Sequence, residues 1–387
     1  MQRSILPEPP GELKSISRAL VSKIYDELRD DGFMPFSRYM ERALYEPGLG
    51  YYSAGLHKLG RGGDFVTAPE LGSLFARCLA AQVQEIGTRL GHYDILEPGA
   101  GTGRMAVDLL TSLTPENGPR RYRILERSAD LRAVQHQLIA DRAPLWIDRV
   151  EWLDAPPAEP WRGVVLANEV IDALAVERFR VTPGGIEQAG IGRAANAEGF
   201  AWRYRPAPAA LAQAVQQLGL ALPPGYTSEI SLDLSHWLAS VTRSLTGGSV
   251  LLVDYGYPRA EYYLPQRRDG TLVCHYRHHG HDDVFFWPGL QDITAFVDFT
   301  AVAEAGAACG LDLAGYCSQA MFLLGCGLDQ LLHPSDGKAD VDFARTTEAR
   351  HLTLPGMMGE RFQVMALARG DLGELRGFAL QDLTYRL

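Results

Sequence analysis

Short runs of apolar residues alternate with longer segments in which apolar residues recur every three or four positions. After residue 90 the runs have the length of buried strands, and the segments between them have the period of amphipathic helices. This alternation predicts an α/β domain with a mostly parallel sheet. The predicted strands are 93–97, 122–126, 150–153, 164–168, 250–255, 311–317 and 362–368.

The regular spacing of these strands is interrupted once, between the fourth and the fifth. Within the interruption, residues 176–181, 186–191 and 200–204 have the pattern of antiparallel strands, and Pro183-Gly184-Gly185 supplies a turn. A helical pattern follows at 208–218. We therefore expect residues 176–245 to form an inserted flap or lid outside the core sheet.

The N-terminal residues have a different character from the core. Residues 12–30 carry apolar side chains at helical spacing, and a segment rich in aromatic residues, Gly and Pro follows. Thr67 and Glu70 then have the spacing of a capping box, which predicts a helix that starts near Ala68. We expect an N-terminal arm and cap at 1–67 and a core composed of 68–175 and 246–387.

Composition and charge limit the classes of partner. The chain has 387 residues and a formal net charge of −10, which disfavours capture of nucleic acid or of an anionic membrane surface. It contains no apolar run long enough to span a bilayer, and the first ten residues lack the apolar stretch of a secretory signal. We expect a cytoplasmic protein without membrane insertion, whose five cysteines are reduced.

A glycine-rich loop follows the first predicted strand. Glu97 ends that strand, and Gly99, Gly101 and Gly103 follow at alternate positions before a helical segment. Such a loop lets the backbone approach a ligand closely at a helix N-terminus. Gly101, Gly103 and Ala106 also satisfy the G-x-G-x-x-G/A pattern of nicotinamide dinucleotide sites. In that pattern, however, the first glycine follows the strand almost at once, whereas four residues intervene here.

The pattern Glu-x-Gly-x-Gly-x-Gly resembles the first motif of class I S-adenosylmethionine (SAM) methyltransferases. The resemblance implies that Glu97 faces the amino acid end of SAM and that the three glycines make room for its ribose and methionine portions. It also requires an acid at the end of the second strand for the ribose hydroxyls, and Glu126 occupies that position. By the same resemblance, Leu153 and Asp154, at the end of the third strand, would contact adenine; simple packing on the sheet is the alternative.

The fourth strand leads into Asn168, Glu169 and Asp172. Ligands of open parallel sheets bind outside the carboxyl ends of the strands, so this loop is a candidate acceptor site, with Asn168 on the cofactor side. Were a helix to begin here, Glu169 and Asp172 would share one face of it. Paired carboxylates suit a guanidinium, whose donors form a planar fork. An acidic first helical turn with no catalytic role is the alternative.

Several separate motifs, in order along the chain, resemble those of the MidA-like methyltransferases. They are PFSRYM at 35–40, GYY at 50–52, GDFVTAPE at 63–70, EPGAGTG at 97–103, NEVIDAL at 168–174, VDYGY at 253–257 and VDF at 297–299. Phe296 stands where the family pattern has a His, so no acid or base role is expected there.

This resemblance implies a class I, Rossmann-like fold with a seven-stranded, mostly parallel sheet, an N-terminal cap and the inserted flap. It also implies the cofactor SAM and catalytic residues Glu169 and Asp172. The expected substrate is a protein, namely an arginine on a subunit of respiratory NADH dehydrogenase methylated during assembly. The alternatives are another methyl acceptor and a non-catalytic, SAM-binding assembly protein. The oligomeric state stays open, a homodimer being one option.

Residues 274–283 are rich in histidine and also contain Cys274, Asp282 and Asp283. No repeated CxxC and no HExxH accompanies them, so a zinc site is not expected. A loop that contacts the acceptor is the preferred interpretation, and a polar surface segment is the alternative.

Overall fold

The computed structural model describes residues 6–53, 67–195, 199–332 and 343–387. Within these ranges the chain forms two compact units. A core unit contains described residues from 66–171, 235–259 and 297–387, and a second unit contains those from 1–65, 172–234 and 260–296. The sequence analysis placed 260–296 in the core. The structure groups them with the N-terminal segment because Cys274, Val284 and Ile293 share one apolar cluster with Leu20 and Tyr39.

The core unit is built on one sheet whose seven principal strands are numbered here in chain order. They are β1 (Asp94–Pro98), β2 (Tyr122–Leu125), β3 (Val150–Leu153), β4 (Trp161–Asn168), β5 (Leu245–Tyr257), β6 (Asp312–Ser318) and β7 (Phe362–Arg369). Their spatial order is β3-β2-β1-β4-β5-β7-β6, and the short strand Val297–Asp298 also pairs with β5. Only β7 runs antiparallel to its neighbours in this order. The predicted Rossmann-like, mostly parallel sheet is confirmed.

The sheet is buried because helices cover it. Ile95, Val164 and Leu251 are fully buried and belong to one apolar cluster with the helix Leu74–Leu90. The remaining helices of four or more residues that lie mainly or wholly in this unit are Ala68–Leu71, Arg104–Leu110, Ala129–Arg142, Leu234–Thr242, Phe299–Ala308, Gln319–Gly325, Leu328–Leu332, Phe343–Thr353 and Met358–Arg361, with 3₁₀ segments Pro144–Arg149, Arg376–Phe378 and Thr384–Arg386.

The helix predicted near Ala68 does start there, but it ends after one turn at Leu71. Gly72 follows it in an extended conformation, and a Cβ at this position would lie 2.1 Å from the carboxylate of Glu348. That carboxylate instead accepts a 2.6 Å hydrogen bond from the backbone N–H of Leu74, where the next helix begins. The predicted capping box is wrong, since Thr67 makes no side-chain cap bond.

The second unit contains an all-antiparallel five-stranded sheet. Its strands are Met34–Pro35, Glu177–Thr182, Gly185–Arg193, Phe200–Pro206 and Thr227–Ile230. The three strands predicted for the flap thus exist within about two residues of the predicted bounds, and the helix Ala209–Gln217 follows them. The N-terminal helices Gly11–Glu27 and Phe36–Tyr45 complete this part of the unit.

The histidine-rich segment forms a hairpin in the second unit. Val273–Tyr276 pairs with His279–His281 on one side and with Asp292–Thr294 on the other. Arg277 and His278 form the turn, with φ of 45° and 62°. Two consecutive residues with positive φ are the geometry of a type I′ turn, which matches the twist of the paired strands. The segment is therefore a regular hairpin rather than an irregular loop.

Candidate active site

The glycine loop joins β1 to the helix Arg104–Leu110. All three of its glycines have positive φ, at 67° for Gly99, 54° for Gly101 and 83° for Gly103. Residues with a side chain rarely adopt this left-handed backbone conformation, so the alternate glycines determine the path of the loop. A Cβ at Gly103 would also lie 3.2 Å from the side chain of Gln135, on the helix that follows β2.

Glu97 lies near the carboxyl end of β1 and is almost completely buried. The hydroxyl of Tyr122 donates a 2.7 Å hydrogen bond to its carboxylate. Burial raises the pKa of Glu97 from 4.5 to about 7; the nearby charge of Glu126 adds to the rise and the Tyr122 hydrogen bond opposes it. A carboxyl group that ionises near neutral pH can bind a cationic group and release a proton as it does so.

Glu126 directly follows β2, and burial raises the pKa of its carboxyl group. The carboxylate accepts hydrogen bonds from the backbone N–H of Ser128, at 2.8 Å, and from the side chain of Gln135, at 3.4 Å. The Gln135 amide also donates to the carbonyl oxygen of Gly101, at 2.8 Å. The acid predicted at the end of the second strand is thus linked to the glycine loop by one side chain that sequence reasoning missed.

Leu153 and Asp154, at the end of β3, have different surroundings from each other. The Leu153 carbonyl accepts a 3.2 Å hydrogen bond from the backbone N–H of Glu126, and its side chain is half-buried. Asp154 is exposed, and its carboxylate accepts a 2.7 Å bond from Arg132. The neighbouring Trp152 donates from its indole N–H to the Gln135 carboxamide oxygen, at 2.9 Å. The structure therefore links β3 to the glycine loop through Trp152 and Gln135.

Asn168 ends β4, and the chain bends at Glu169. Glu169 has a φ of 52°, an uncommon conformation for a residue with a side chain. Its backbone N–H donates to the Val253 carbonyl at 2.9 Å, and its carboxylate accepts a 3.2 Å bond from the Asn168 amide. The Asn168 side-chain oxygen is buried without a hydrogen-bond partner among the residues that the structure describes.

No helix begins after β4; the residues from Glu169 to the next strand make bends and turns. Asp254, almost fully buried in β5, accepts the backbone N–H of Ile171 at 3.0 Å, which holds this segment in a non-helical path. Asp172 is buried and belongs to the second unit, where its carbonyl accepts the backbone N–H of Ala295. Glu169 and Asp172 consequently share no helix face.

The loop after β4 lies beside the glycine loop within the core unit. A Cβ at Gly99 would lie 3.5 Å from a methyl group of Val170. On another side, Thr102 donates a 2.6 Å hydrogen bond to the carboxylate of Glu70, from the one-turn helix Ala68–Leu71. This bond explains why Glu70 does not complete a capping box. Asp64, in the GDFVTAPE motif, lies outside the described residues.

A family described as "Putative S-adenosyl-L-methionine-dependent methyltransferase" matches residues 74–317, more than half of the chain. The chain belongs to this family of methyltransferases. A solved structure from Burkholderia thailandensis, bound to S-adenosyl-homocysteine, is 41% identical to it with a TM-score of 0.93, and the match covers 99% of this chain and 100% of that one. The MidA-like resemblance and the cofactor SAM are thereby confirmed, and the nicotinamide interpretation is wrong.

Two curated relatives of this methyltransferase carry the name protein arginine methyltransferase NDUFAF7, mitochondrial, one as a homolog. The Mus musculus protein is 26% identical, over 92% of this chain and 86% of its own length. The Drosophila melanogaster protein is also 26% identical, over 95% and 88%. These names contradict the cytoplasmic location expected from the sequence. Composition and the absence of a secretory pattern do not report on the compartment, which is why that inference was wrong.

The geometry of this methyltransferase fits its cofactor. SAM carries an amino acid end with an ammonium group, ribose hydroxyls and an adenine. Glu97 is buried and Glu126 is half-buried, and between them in sequence lies a glycine loop whose backbone conformation disfavours side chains. Glu97 would hold the ammonium group and Glu126 the ribose hydroxyls. No helix in the described ranges is long and apolar enough to cross a membrane.

Proposed function

We propose that this methyltransferase transfers the methyl group of SAM to an arginine side chain of a protein, with Glu169 orienting the acceptor. The names of the mouse and fly relatives support an arginine acceptor. The observation that carries the proposal is the carboxylate of Glu169, at the carboxyl end of β4 and in the loop whose Val170 adjoins the glycine loop. Ligands of such sheets bind beyond the strand ends.

SAM supplies an electrophilic methyl group on its sulfonium, and the enzyme's main task is to align the acceptor with it and to exclude water. A guanidinium does not lose its proton spontaneously near neutral pH, because its pKa exceeds ~12. A carboxylate can accept two parallel N–H bonds from it and orient the reacting nitrogen. Glu169 supplies such a carboxylate. Its positive φ is unfavourable for a residue with a side chain, and strain of this kind often marks a functional site.

Asn168 supports Glu169 in this role. Its amide donates to the Glu169 carboxylate, and its buried oxygen remains an acceptor for a donor from outside the described protein. A buried acceptor without a partner costs free energy, so a ligand that supplies the missing donor would be favoured. We assign Asn168 to the boundary between cofactor and acceptor. The role of Asp172, assigned to the acceptor from the sequence, stays a prediction.

As the substrate we propose an arginine on a subunit of respiratory NADH dehydrogenase. The family resemblance supports this, and the antiparallel sheet of the second unit supplies a candidate surface for a protein partner. The net charge of −10 favours a basic segment around the target arginine, although at physiological salt such attraction extends only about 8 Å.

The test compares Glu169→Gln with the wild type in two assays. We expect unchanged S-adenosylhomocysteine affinity by calorimetry and loss of methyl transfer to the isolated subunit, because only the interaction with a cationic acceptor is removed. Glu187→Gln, which changes a partly exposed carboxylate of the second unit, is the matched control. Full transfer by Glu169→Gln would refute its role, and labelled methyl found only on small molecules would refute a protein substrate.

A further inference from the structure

We infer that Gln135 is a positioning residue that holds Glu126 and the glycine loop in the geometry needed to bind the cofactor. Gln135 lies in the helix Ala129–Arg142 and is completely buried. Its side chain bonds to segments that follow β1 and β2 and to a residue of β3. This inference rests on the proposed roles of Glu126 and the glycine loop.

The orientation of the Gln135 carboxamide is fixed by Trp152. An indole N–H can only donate, so the atom that faces it at 2.9 Å must be the carboxamide oxygen. The amide nitrogen must then face the Gly101 carbonyl, at 2.8 Å, and the Glu126 carboxylate, at 3.4 Å. A donor is therefore directed at two acceptors, and the amide cannot flip without losing all three bonds.

The helix that carries Gln135 also restricts which residue can stand at Gly103 in the glycine loop. A Cβ at Gly103 would meet the Cα, Cβ and Cγ atoms of Gln135 at 3.2 to 3.4 Å. Gln135 thus contacts the loop at Gly103 and bonds to it at Gly101. Burial raises the pKa of Glu126, and the Gln135 hydrogen bond favours the ionised form that would accept bonds from ribose hydroxyls.

The test is a double-mutant cycle read by calorimetric binding of S-adenosylhomocysteine to the full chain. Gln135→Met keeps the length of the side chain but removes its hydrogen bonds, and we expect about tenfold weaker binding. In a Glu126→Ala background we expect the same substitution to weaken binding by less than about threefold, since the bond to the Glu126 carboxylate is already gone. Gln137→Met, two residues away on the same helix, changes an exposed glutamine whose side chain donates a hydrogen bond to Asp141, and it should leave affinity unchanged.

The outcomes separate this inference from the proposed site. Equal losses from Gln135→Met in both backgrounds would show that Gln135 does not act through Glu126 and would overturn the inference. An unchanged affinity of Glu126→Ala alone would refute the proposed ribose site instead. If Gln135→Met does not fold, Trp152→Phe tests the same point, because it removes the donor that fixes the position of the Gln135 carboxamide oxygen. Weaker binding by Trp152→Phe supports the inference, and wild-type affinity overturns it.

Discussion

The buried hydroxyl of Tyr122 donates a 2.7 Å hydrogen bond to the buried carboxylate of Glu97, on the neighbouring strand. The bond stabilises the ionised carboxylate, yet burial dominates and leaves the pKa of Glu97 at about 7. Glu97 is therefore protonated over a pH range in which the unfolded chain has already lost this proton.

From this pKa we predict how stability depends on pH. Between 4.5, the ordinary value, and about 7, the folded state binds more protons at Glu97 than the unfolded state. The contribution of Glu97 to the free energy of unfolding therefore falls as the pH rises through this range and is constant above it. Glu97→Gln should remove this slope in denaturant unfolding of the ligand-free protein. A variant with the same pH profile as the wild type would contradict the raised pKa.

The same carboxyl group predicts proton release on binding. If Glu97 holds the ammonium group of the ligand, S-adenosylhomocysteine should bind its ionised form and expel the proton at about pH 6. Calorimetry in two buffers that differ in ionisation enthalpy measures this release. We expect it in the wild type and expect it to be absent from Glu97→Gln; equal release from both proteins would assign the proton to another group.

Gly91, which lies outside the glycine loop, provides a matched control for a substitution at Gly103. The φ values are 83° at Gly103 and 80° at Gly91, but an added Cβ at Gly91 meets nothing within 4 Å. Alanine at either position should lower the free energy of unfolding by about 1–2 kcal/mol through backbone strain. Only Gly103→Ala should also weaken S-adenosylhomocysteine binding, because it displaces the loop or Gln135. Parallel losses of affinity in both variants would show that binding follows global stability.

Asp254 should hold the loop after β4 in the conformation that the acceptor site needs. Its carboxylate accepts the backbone N–H groups of Ile171, at 3.0 Å, and of Tyr255, at 2.9 Å. Asp254→Ala should cost about 1–3 kcal/mol of stability and lower methyl transfer more than cofactor affinity. Ser249→Ala removes another buried hydrogen bond of the same strand, to the Leu367 carbonyl, and is the control. Comparable turnover in the two variants would exclude a specific role for Asp254.

Glu126→Ala tests the ribose contact directly. Loss of charge-assisted hydrogen bonds should weaken S-adenosylhomocysteine binding by about 1–3 kcal/mol, measured by calorimetry. Asp154→Ala, at the exposed end of the next strand, should have a smaller effect because its carboxylate is solvated and paired with Arg132. An equal loss at Asp154 would favour the adenine contact that the sequence analysis assigned to this position.

The sequence predicts the core sheet well because each strand is a local apolar run. The glycine loop and Glu126 can be found in the sequence for the same reason, since they lie at fixed distances along one stretch of chain, and their role in binding the cofactor stays a prediction. The break at Gly72 is not predictable in this way. It depends on Glu348, which is 274 positions from its partner Leu74.

The structural roles of Gln135 and Asp254 could not be predicted from the sequence for a related reason. A glutamine in an amphipathic helix has no local signal that separates a buried network from a solvated face, and Asp254 has the pattern of a strand residue. The grouping of 260–296 with the N-terminal segment depends on apolar contacts such as Tyr39 with the Cys274 region, which no periodicity reports.

The close approach of Gln135 to Gly103 affects how motifs in related sequences should be interpreted. In this protein a side chain at Gly103 is disfavoured by the protein's own packing, even without a ligand. A descendant that lost catalysis would therefore still gain stability from keeping this glycine. A search for the glycine pattern alone would then also find relatives that have lost activity. A search that also requires Glu126 and Glu169 would select the active enzymes more strictly.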